Sequence, residues 1–486
     1  MSQPFNMHDL RQIARRVMVE RGFQPDFPAA ALQQANAVGD TTGGAAIRDL
    51  RSLPWLSIDN DDSLDLDQLS VAQPLANAVN RVLVAIADVD VAVRRDSPID
   101  AHARGNTTSV YTAAQIFPML PEKLSTDLTS LADHQERCAM VVEMTVNTDG
   151  SIAAADVYRA LVFNHAKLAY GSVSDWLEGR AAAPAPIADS QELQQQIRIQ
   201  DVVAQCMRKV RQTHGAMSLE TIEAEAVFSD GALRDFRAAK KGRAKELIED
   251  LMVAANSVTA RFLEDRGFPS LRRILKTPKR WDRIMALAAS HGEQLPPTPD
   301  AAALSAFLTR RRQADPAQFA EVSLAVVKML GSGEYGVDVP GRRVEGHFGL
   351  AVSDYTHSTA PNRRFPDLVT QRLLKAAVAG GPSPYTEDEL QAIAQHCTEQ
   401  EDNAAKVERQ IRKSAAALLL QSRIGQHFDG IVTGASDKGT WVRISGPVAE
   451  GKIVRGAHGL DVGDRVHVQL TDVNVERGFI DFVRAQ

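Results

Sequence analysis

The sequence predicts a mixed α/β (α+β) protein: a small helical unit, then a large domain in which strands give way to helices, then a five-stranded OB-type β-barrel. Three observations predict this. Residues 10–39 repeat apolar side chains at helical spacing; residues 53–170 are strand-rich whereas 244–269 and 386–425 are helical; residues 425–486 return to short strands between Gly-rich turns. The corresponding boundaries are 1–45, 46–424 and 425–486.

In the first unit Leu10, Ile13, Ala14, Val17 and Met18 share one helical face, with Gly22 as a stop, and a second short helix runs from about Pro28 to Gly39. Two such helices around a turn fit either a helix-turn-helix unit for nucleic acid or a simple packing pair. The stretch VGDTTGGAAIRD reads as a linker. RVLVAIADVDVAV is the clearest buried strand, and EGRAAAPAPIADSQ reads as a surface insertion. Leu247, Leu251, Ala254, Val258 and Phe262 form one helical stripe that ends at Gly267 and Pro269. A capping box from Thr386 to Glu389 opens a further helical region, with room for breaks before Gly425. In the barrel Phe428 and Trp441, with Lys438, Arg443, Lys452 and Arg455, suit a face for single-stranded nucleic acid, or else ordinary packing and solvated charge.

Composition bounds the function. A chain of 486 residues with 44% hydrophobic and 24% charged residues has room for two to four folded domains. A net charge of −6 does not advertise nucleic-acid binding, and local patches leave it open. Cys138, Cys206 and Cys397 form no CxxC pair, which points to reduced thiols in the cytoplasm and to no zinc site. No export signal and no membrane span are expected. GSGEYG satisfies GxGxxG literally, but a helical run precedes it and no helix follows, so it is not a dinucleotide fingerprint.

The segment SIDNDDSLDLDQLS places five aspartates in fourteen positions. A solvated acidic loop is one reading. A calcium loop fails: counted from Asp59, Leu64 stands where Gly is needed and Ser70 where Glu is needed, and counting from Asp61 puts Leu66 and Ala72 there. The third reading is a hard-cation site for phosphate chemistry. A period of two would put Asp65 and Asp67 on one strand face and Leu64 and Leu66 on the other, with Asp59 folding back to join them.

IDNDDSLDLDQL, RGNTTSVYTAAQIFPMLPEKLSTDLTSL, GAMSLETIEAEAVF leading into ELIEDLMVAAN, and HFGLAVSDYTHSTAPNRRFPDLVTQRLL occur in this order across residues 50–425. Together they resemble the RNase II family of exoribonucleases, whose catalytic part is the RNB domain. The barrel fits that family's ribosomal S1-type domain. The resemblance implies magnesium-dependent removal of nucleoside 5′-monophosphates from the 3′ end of single-stranded RNA, with manganese as the alternative ion, by a monomer. It implies that Asp59, Asp65 and Asp67, with Gln68, hold the metal, and that Arg363 and its neighbour Arg364 contact phosphate. Tyr111 would stack on bases, and Glu249 or Asp250 would orient the arginine or read the 2′-hydroxyl. His347 and His357 are expected to be structural.

The chain departs from the family pattern in several places. Gln68 replaces a fourth aspartate, which motivates the alternative of a catalytically weak RNA-binding regulator. Leu219 stands where an aromatic is usual, and Gln371 where a His is expected. The family's paired cold-shock barrels find no room before residue 50, and a wider opening there would admit duplex-containing RNA.

Overall fold

The computed structural model describes residues 5–39, 41, 47–220, 224–229, 232–238, 242–316, 318–342, 346–436 and 439–485. Helices α1 (Met7–Glu20) and α2 (Ala29–Ala37) lead into β1 (Arg48–Asp49), β2 (Ser57–Asp59), β3 (Gln68–Pro74) and β4 (Asn80–Ala87). Next come α3 (Pro98–Asn106), β5 (Val110–Tyr111), β6 (Ile116–Phe117), β7 (Glu136–Val146), β8 (Ile152–Phe163) and β9 (Lys167–Ala169). Five of these strands make the central sheet, in the order β1-β8-β7-β4-β3. Its interior is apolar on both faces: Val82 to Ala87 are all buried, as a strand covered by helices on one side and loops on the other must be.

The cover comes from α4 (Tyr170–Leu177), α5 (Gln191–Thr213) and, after the hairpin β10 (Ala224–Ser229) and β11 (Ala232–Ala238), α6 (Arg243–Asp265). The expected stripe on α6 is buried throughout, and Gly267 closes the helix at φ +71°. Strand β12 (Ser270–Ile274) pairs with β13 (Glu334–Asp338), and between them α7 (Trp281–Ser290), α8 (Ala301–Ala314) and α9 (Phe319–Leu330) enclose a separate core around Trp281, Phe307 and Phe319. GSGEYG therefore joins a helix to a strand, the reverse of a dinucleotide loop. Helix α10 (Phe365–Ala379) packs on the sheet, and α11 (Glu387–Leu420) leads to the closed barrel of β14 (His427–Ser436), β15 (Gly439–Ser445), β16 (Val448–Arg455), β17 (Arg465–Asn474) and β18 (Phe479–Arg484). No helix among the described residues is long and apolar enough to cross a membrane.

Several expectations are corrected here. α1 and α2 do not form one helix-turn-helix unit: α1 buries its stripe with α11 and the barrel, whereas Ala31 and Ala35 of α2 join the core of the sheet. RVLVAIADVDVAV is a strand only to Ala87, because Asp88 turns away to bind Arg159 and Lys375. The helix after Thr386 keeps its capping box but has no breaks; with neither Gly nor Pro between 387 and 420 it spans about 50 Å. Phe428 packs inside the barrel against Phe482, while Trp441 stays partly exposed. Lys438, half of the linker and residues 221–223 lie outside the described residues.

Asp250 ties α6 to α5. Its buried carboxylate accepts from Arg208 Nε at 2.9 Å and from Arg211. Removing one partner of such a buried pair leaves uncompensated charge, so Asp250→Ala should lower the unfolding free energy by about 3–5 kcal/mol. Urea denaturation measures this; a change under about 0.5 kcal/mol would mean that the clamp carries no weight.

Candidate active site

β2 and β9 run parallel with Asp59 opposite Ala169, which brings Asp59 beside Tyr170. After Asp59 the chain turns, and the Asp59 carboxylate accepts from the N–H of Asn60 at 2.7 Å and the Ser63 hydroxyl at 3.2 Å. The following segment is extended but is not a strand until Gln68. Ser130 satisfies its backbone instead of a neighbouring strand, donating to the Leu64 carbonyl at 2.6 Å and accepting from the Leu66 N–H at 3.1 Å. The expected alternation therefore fails: Leu66 is buried, but Leu64 is 62% exposed.

Asp67 is the most enclosed of the acidic run, 1% exposed. One carboxylate oxygen accepts the N–H of Asn362 at 2.9 Å and the other accepts Nε of Arg363 at 3.2 Å. The loop that delivers these donors is pinned from several sides. Asn256 accepts from the N–H and hydroxyl of Ser358, Asp367 accepts from the N–H of Ala360, and Asn362 Oδ1 accepts from Thr129 at 2.6 Å. The N–H of Ser109 donates to the Arg363 carbonyl at 2.9 Å, and the N–H of Phe365 donates to the Thr107 carbonyl at 2.8 Å. The segment stapled to Arg363 thus also carries Tyr111, whose hydroxyl donates to Asp65 at 2.8 Å and whose N–H donates to Glu408 of α11 at 3.0 Å. Tyr111 as a whole residue remains 39% exposed and the Arg363 side chain 45%.

Burial pushes the Asp67 carboxyl up to about 7, against the pull of Arg363 and the Asn362 N–H, with Asp65 and Asp367 adding to the rise. Asp59 is raised for the same first reason, opposed by the Asn60 N–H and Arg363. Burial and then Asp65 keep the Tyr111 phenol protonated, and burial and then Asp59 do so for Tyr170. His357 is held far below its ordinary range by burial and then by Arg364, and His347 is lowered to about 4 by burial and Arg273. Both imidazoles are neutral near pH 7, so the positive charge of the site comes from arginine.

The structure brings Asp59, Asp65, Asp67, Tyr111 and Arg363 together and leaves other expected residues outside. Arg364 gives the Nε/Nη2 edge of its guanidinium to Asp367, at 2.8 and 2.7 Å, because it stands at the start of α10 with that carboxylate one turn on. Asp250 belongs to the arginines of α5, and Glu249 is exposed on α6. Gln68 is buried at the start of β3, and its amide makes no hydrogen bond among the described residues. Residues not singled out from the sequence also take part. Asn362 could have been noticed within APNRR; Tyr170 and Glu408 carry no local signal, since each reaches the site through folding alone.

Among the described residues no three carboxylate, imidazole or thiol groups converge as a ready-made metal cage. The reason is visible: Asp67 faces Asn362 and Arg363, and Asp65 faces Tyr111. The donor chemistry still suits magnesium, which keeps several waters and commonly takes one or two carboxylates together with substrate phosphate.

An RNB domain model matches residues 47–380, and an RNase II-type exonuclease C-terminal S1 domain model matches residues 426–485. Ribonuclease R of Escherichia coli is 30% identical over 478 residues, covering 89% of this chain and 57% of that protein. The chain spans a little over half the length of the curated relatives it matches. Mycoplasma genitalium RNase R, solved with ribose-methylated single-stranded RNA, superposes with a TM-score of 0.88 at 22% identity, covering 98% of this chain and 78% of that one. Yeast Ssd1, a pseudonuclease, superposes at 0.70 with 15% identity, covering 93% and 57%.

The raised Asp67 carboxyl sets a pH dependence in the metal-free protein. Its folded value of about 7 lies above the unfolded value of about 3.9, so its contribution is full below pH 4 and is lost as pH rises through 7. In chelator, unfolding free energy should therefore fall across this window, and Asp67→Asn should flatten the fall. Urea denaturation at pH 5 and pH 8 for both proteins measures the difference; parallel curves would contradict it.

Proposed function

The chain belongs to the RNB-domain family, and from that premise we propose that it is a metal-dependent 3′-to-5′ exoribonuclease that shortens single-stranded RNA one nucleoside 5′-monophosphate at a time. The observation that carries this reading is the Asp67–Arg363 contact at 3.2 Å, with Asp65 and the partly exposed Tyr111 beside it. A fold alone would not carry it, since a pseudonuclease shares this one.

Asp67 holds Nε of Arg363, so the terminal amino groups of the guanidinium are left for a phosphate, where they offset charge that builds up during hydrolysis. Asp65 fixes the Tyr111 hydroxyl, so the ring keeps one orientation on which the terminal bases stack without regard to sequence. Asp59, Asp65 and Asp67 are the residues to hold magnesium, or manganese in its place. When bound, the ion supplies an activated water and screens the scissile phosphate. Water adds to phosphorus, the O3′ of the preceding nucleotide leaves, and the released nucleotide keeps the 5′-phosphate. Gln68 sits within this segment as a buried neutral residue, which favours a second reading, a catalytically weak RNA-binding regulator.

The division 1–45, 46–424 and 425–486 stays part of this proposal, with the two domain matches supporting its second and third segments. We also assign action as a monomer in the cytoplasm, consistent with three cysteines that are all free.

A time course on 5′-labelled single-stranded RNA with magnesium should give a descending ladder, absent in chelator and with Asp67→Asn. Intact RNA that is nonetheless tightly bound would favour the regulator. Arg363→Ala should lower kcat by about 10²–10³-fold. Tyr111→Ala should weaken RNA binding by about 1–3 kcal/mol, and Tyr111→Phe should keep most of that energy because the ring survives. Equal losses for the two tyrosine variants would exclude stacking as the role.

A further inference from the structure

We propose that the cleft between α5, α6, the β7–β8 turn and the loop 351–354 is a second ligand site, one that takes a nucleoside 5′-monophosphate while RNA occupies the active site. The choice of ligand rests on the reading above, because this is the class of nucleotide that the proposed reaction releases. The cleft has a volume of about 470 Å³, inside the span of about 300–1,000 Å³ usual for small-molecule sites. Asp59, Asp65, Asp67, Tyr111 and Arg363 are not part of its lining. Gly150 and Ile152, which are, stand at the end of the sheet remote from Asp67. The Asp67 carbonyl accepts the N–H of Ala87, Ala87 pairs with Ala139, and β7 then runs about 23 Å from Ala139 to Val146, opposite Ile152.

At the wall of this cleft two buried donors have no partner among the described residues: the Ser257 hydroxyl, and Nε of Arg211, whose Nη2 is engaged by Asp250. Buried polar groups are nearly always paired, so each points to an acceptor that the protein does not supply. Ser257 is the sharper case. On other helices Thr309, Thr370 and Thr398 turn their hydroxyls back to the carbonyl four residues earlier, at 2.9, 2.8 and 2.9 Å, and Ser257 does not. The walls themselves are preset. At Gly150, φ +89°, a Cβ would strike the Cys206 backbone, so the turn is pressed onto α5. Ala351 holds φ +50°, a costly conformation for a residue with a Cβ, and the His347 N–H closes the loop by donating to the Val352 carbonyl at 2.8 Å.

The remaining groups divide as a nucleotide does. Arg261, one turn of α6 beyond Ser257, is exposed and forms no ion pair among the described residues. His214 donates from Nδ1 to the Val210 carbonyl at 2.7 Å, which leaves Nε2 for a ligand. With Arg211 these suit a phosphate monoester. Asp354 accepts from the Ser353 hydroxyl at 3.1 Å and has no cation partner among the described residues. A carboxylate so placed suits the paired hydroxyls of a ribose. Ile152, Met207, Val210, Val253 and Val352 supply an apolar wall for a base. A site for bare phosphate would have no use for that wall, and Asp354 would repel its ligand.

The test uses the Asp67→Asn protein in chelator, its active site filled by a saturating oligoadenylate with a 5′-hydroxyl end, and reads binding of adenosine 5′-monophosphate by equilibrium dialysis. One equivalent should bind beside the RNA, at least about tenfold more tightly than adenosine or inorganic phosphate. Arg261→Glu should lower that affinity about tenfold, and Asp354→Ala should lower it about fivefold while binding inorganic phosphate no more weakly. Neither side chain has an ion-pair partner among the described residues to lose, so both variants should fold. The proposal is overturned if RNA in the active site excludes the nucleotide, if inorganic phosphate binds as tightly as the nucleotide, or if both variants keep the full affinity. If the native chain digests no RNA but the nucleotide binds as described, the exonuclease reading falls and the site stands; if RNA is digested and no nucleotide binds beside it, the site falls alone.

Discussion

The contact between Asp67 and Arg363 joins residues 296 positions apart, and much of the surrounding architecture serves to make it. Asp67 stands where the acidic segment enters β3, and its own carbonyl accepts the N–H of Ala87 at the end of β4. Arg363 stands in a loop whose backbone is fastened to residues 107–109 on one side and whose turn is closed by Asp367 on the other. A carboxylate this deeply buried would be costly without donors. The sheet, the loop and the segment bearing Tyr111 are thus constrained jointly, and a shift in any of them would leave charge unpaired.

α11 links the outlying parts to this centre. Its apolar stripe passes from the core beside α10 to the core shared by α1 and the barrel, and Glu408 on its flank holds the Tyr111 backbone. A helix without Gly or Pro is a stiff connector, so the position of the barrel relative to the acidic segment is set by packing along one element. α1, by contrast, owes its place to the surface it covers: its five buried side chains all sit in the core that α11 and the barrel supply.

Much of this was legible in the sequence where the physics is local. The helical stripes, the capping box at Thr386, the five barrel strands and the central buried strand all follow from periodicity and turn chemistry. The aspartates and Arg363 were legible through the order of four motifs. What escaped were pairings set by tertiary contact. Nothing near Asp250 announces that Arg208 and Arg211, on another helix, will claim it. Alternation around Asp65 suggested a strand, but the hydroxyl of Ser130 took the backbone bonds that a strand partner would have made. Arg364 looked equivalent to Arg363 until the helix start put Asp367 within reach of its fork.

The stapling of Arg363 to residues 107–109 has a mechanical consequence. Tyr111 lies two residues beyond the Ser109 contact, so Tyr111 and Arg363, proposed above to meet a base and a phosphate, ride on the same few peptide units. Displacing one displaces the other. A bound strand would thus be gauged at two points a fixed interval apart, and backbone and base would have to let go in step for it to advance. On the proposed roles, slippage by a fraction of a residue would misfit both grips at once, and the nucleotide itself would be the unit of travel.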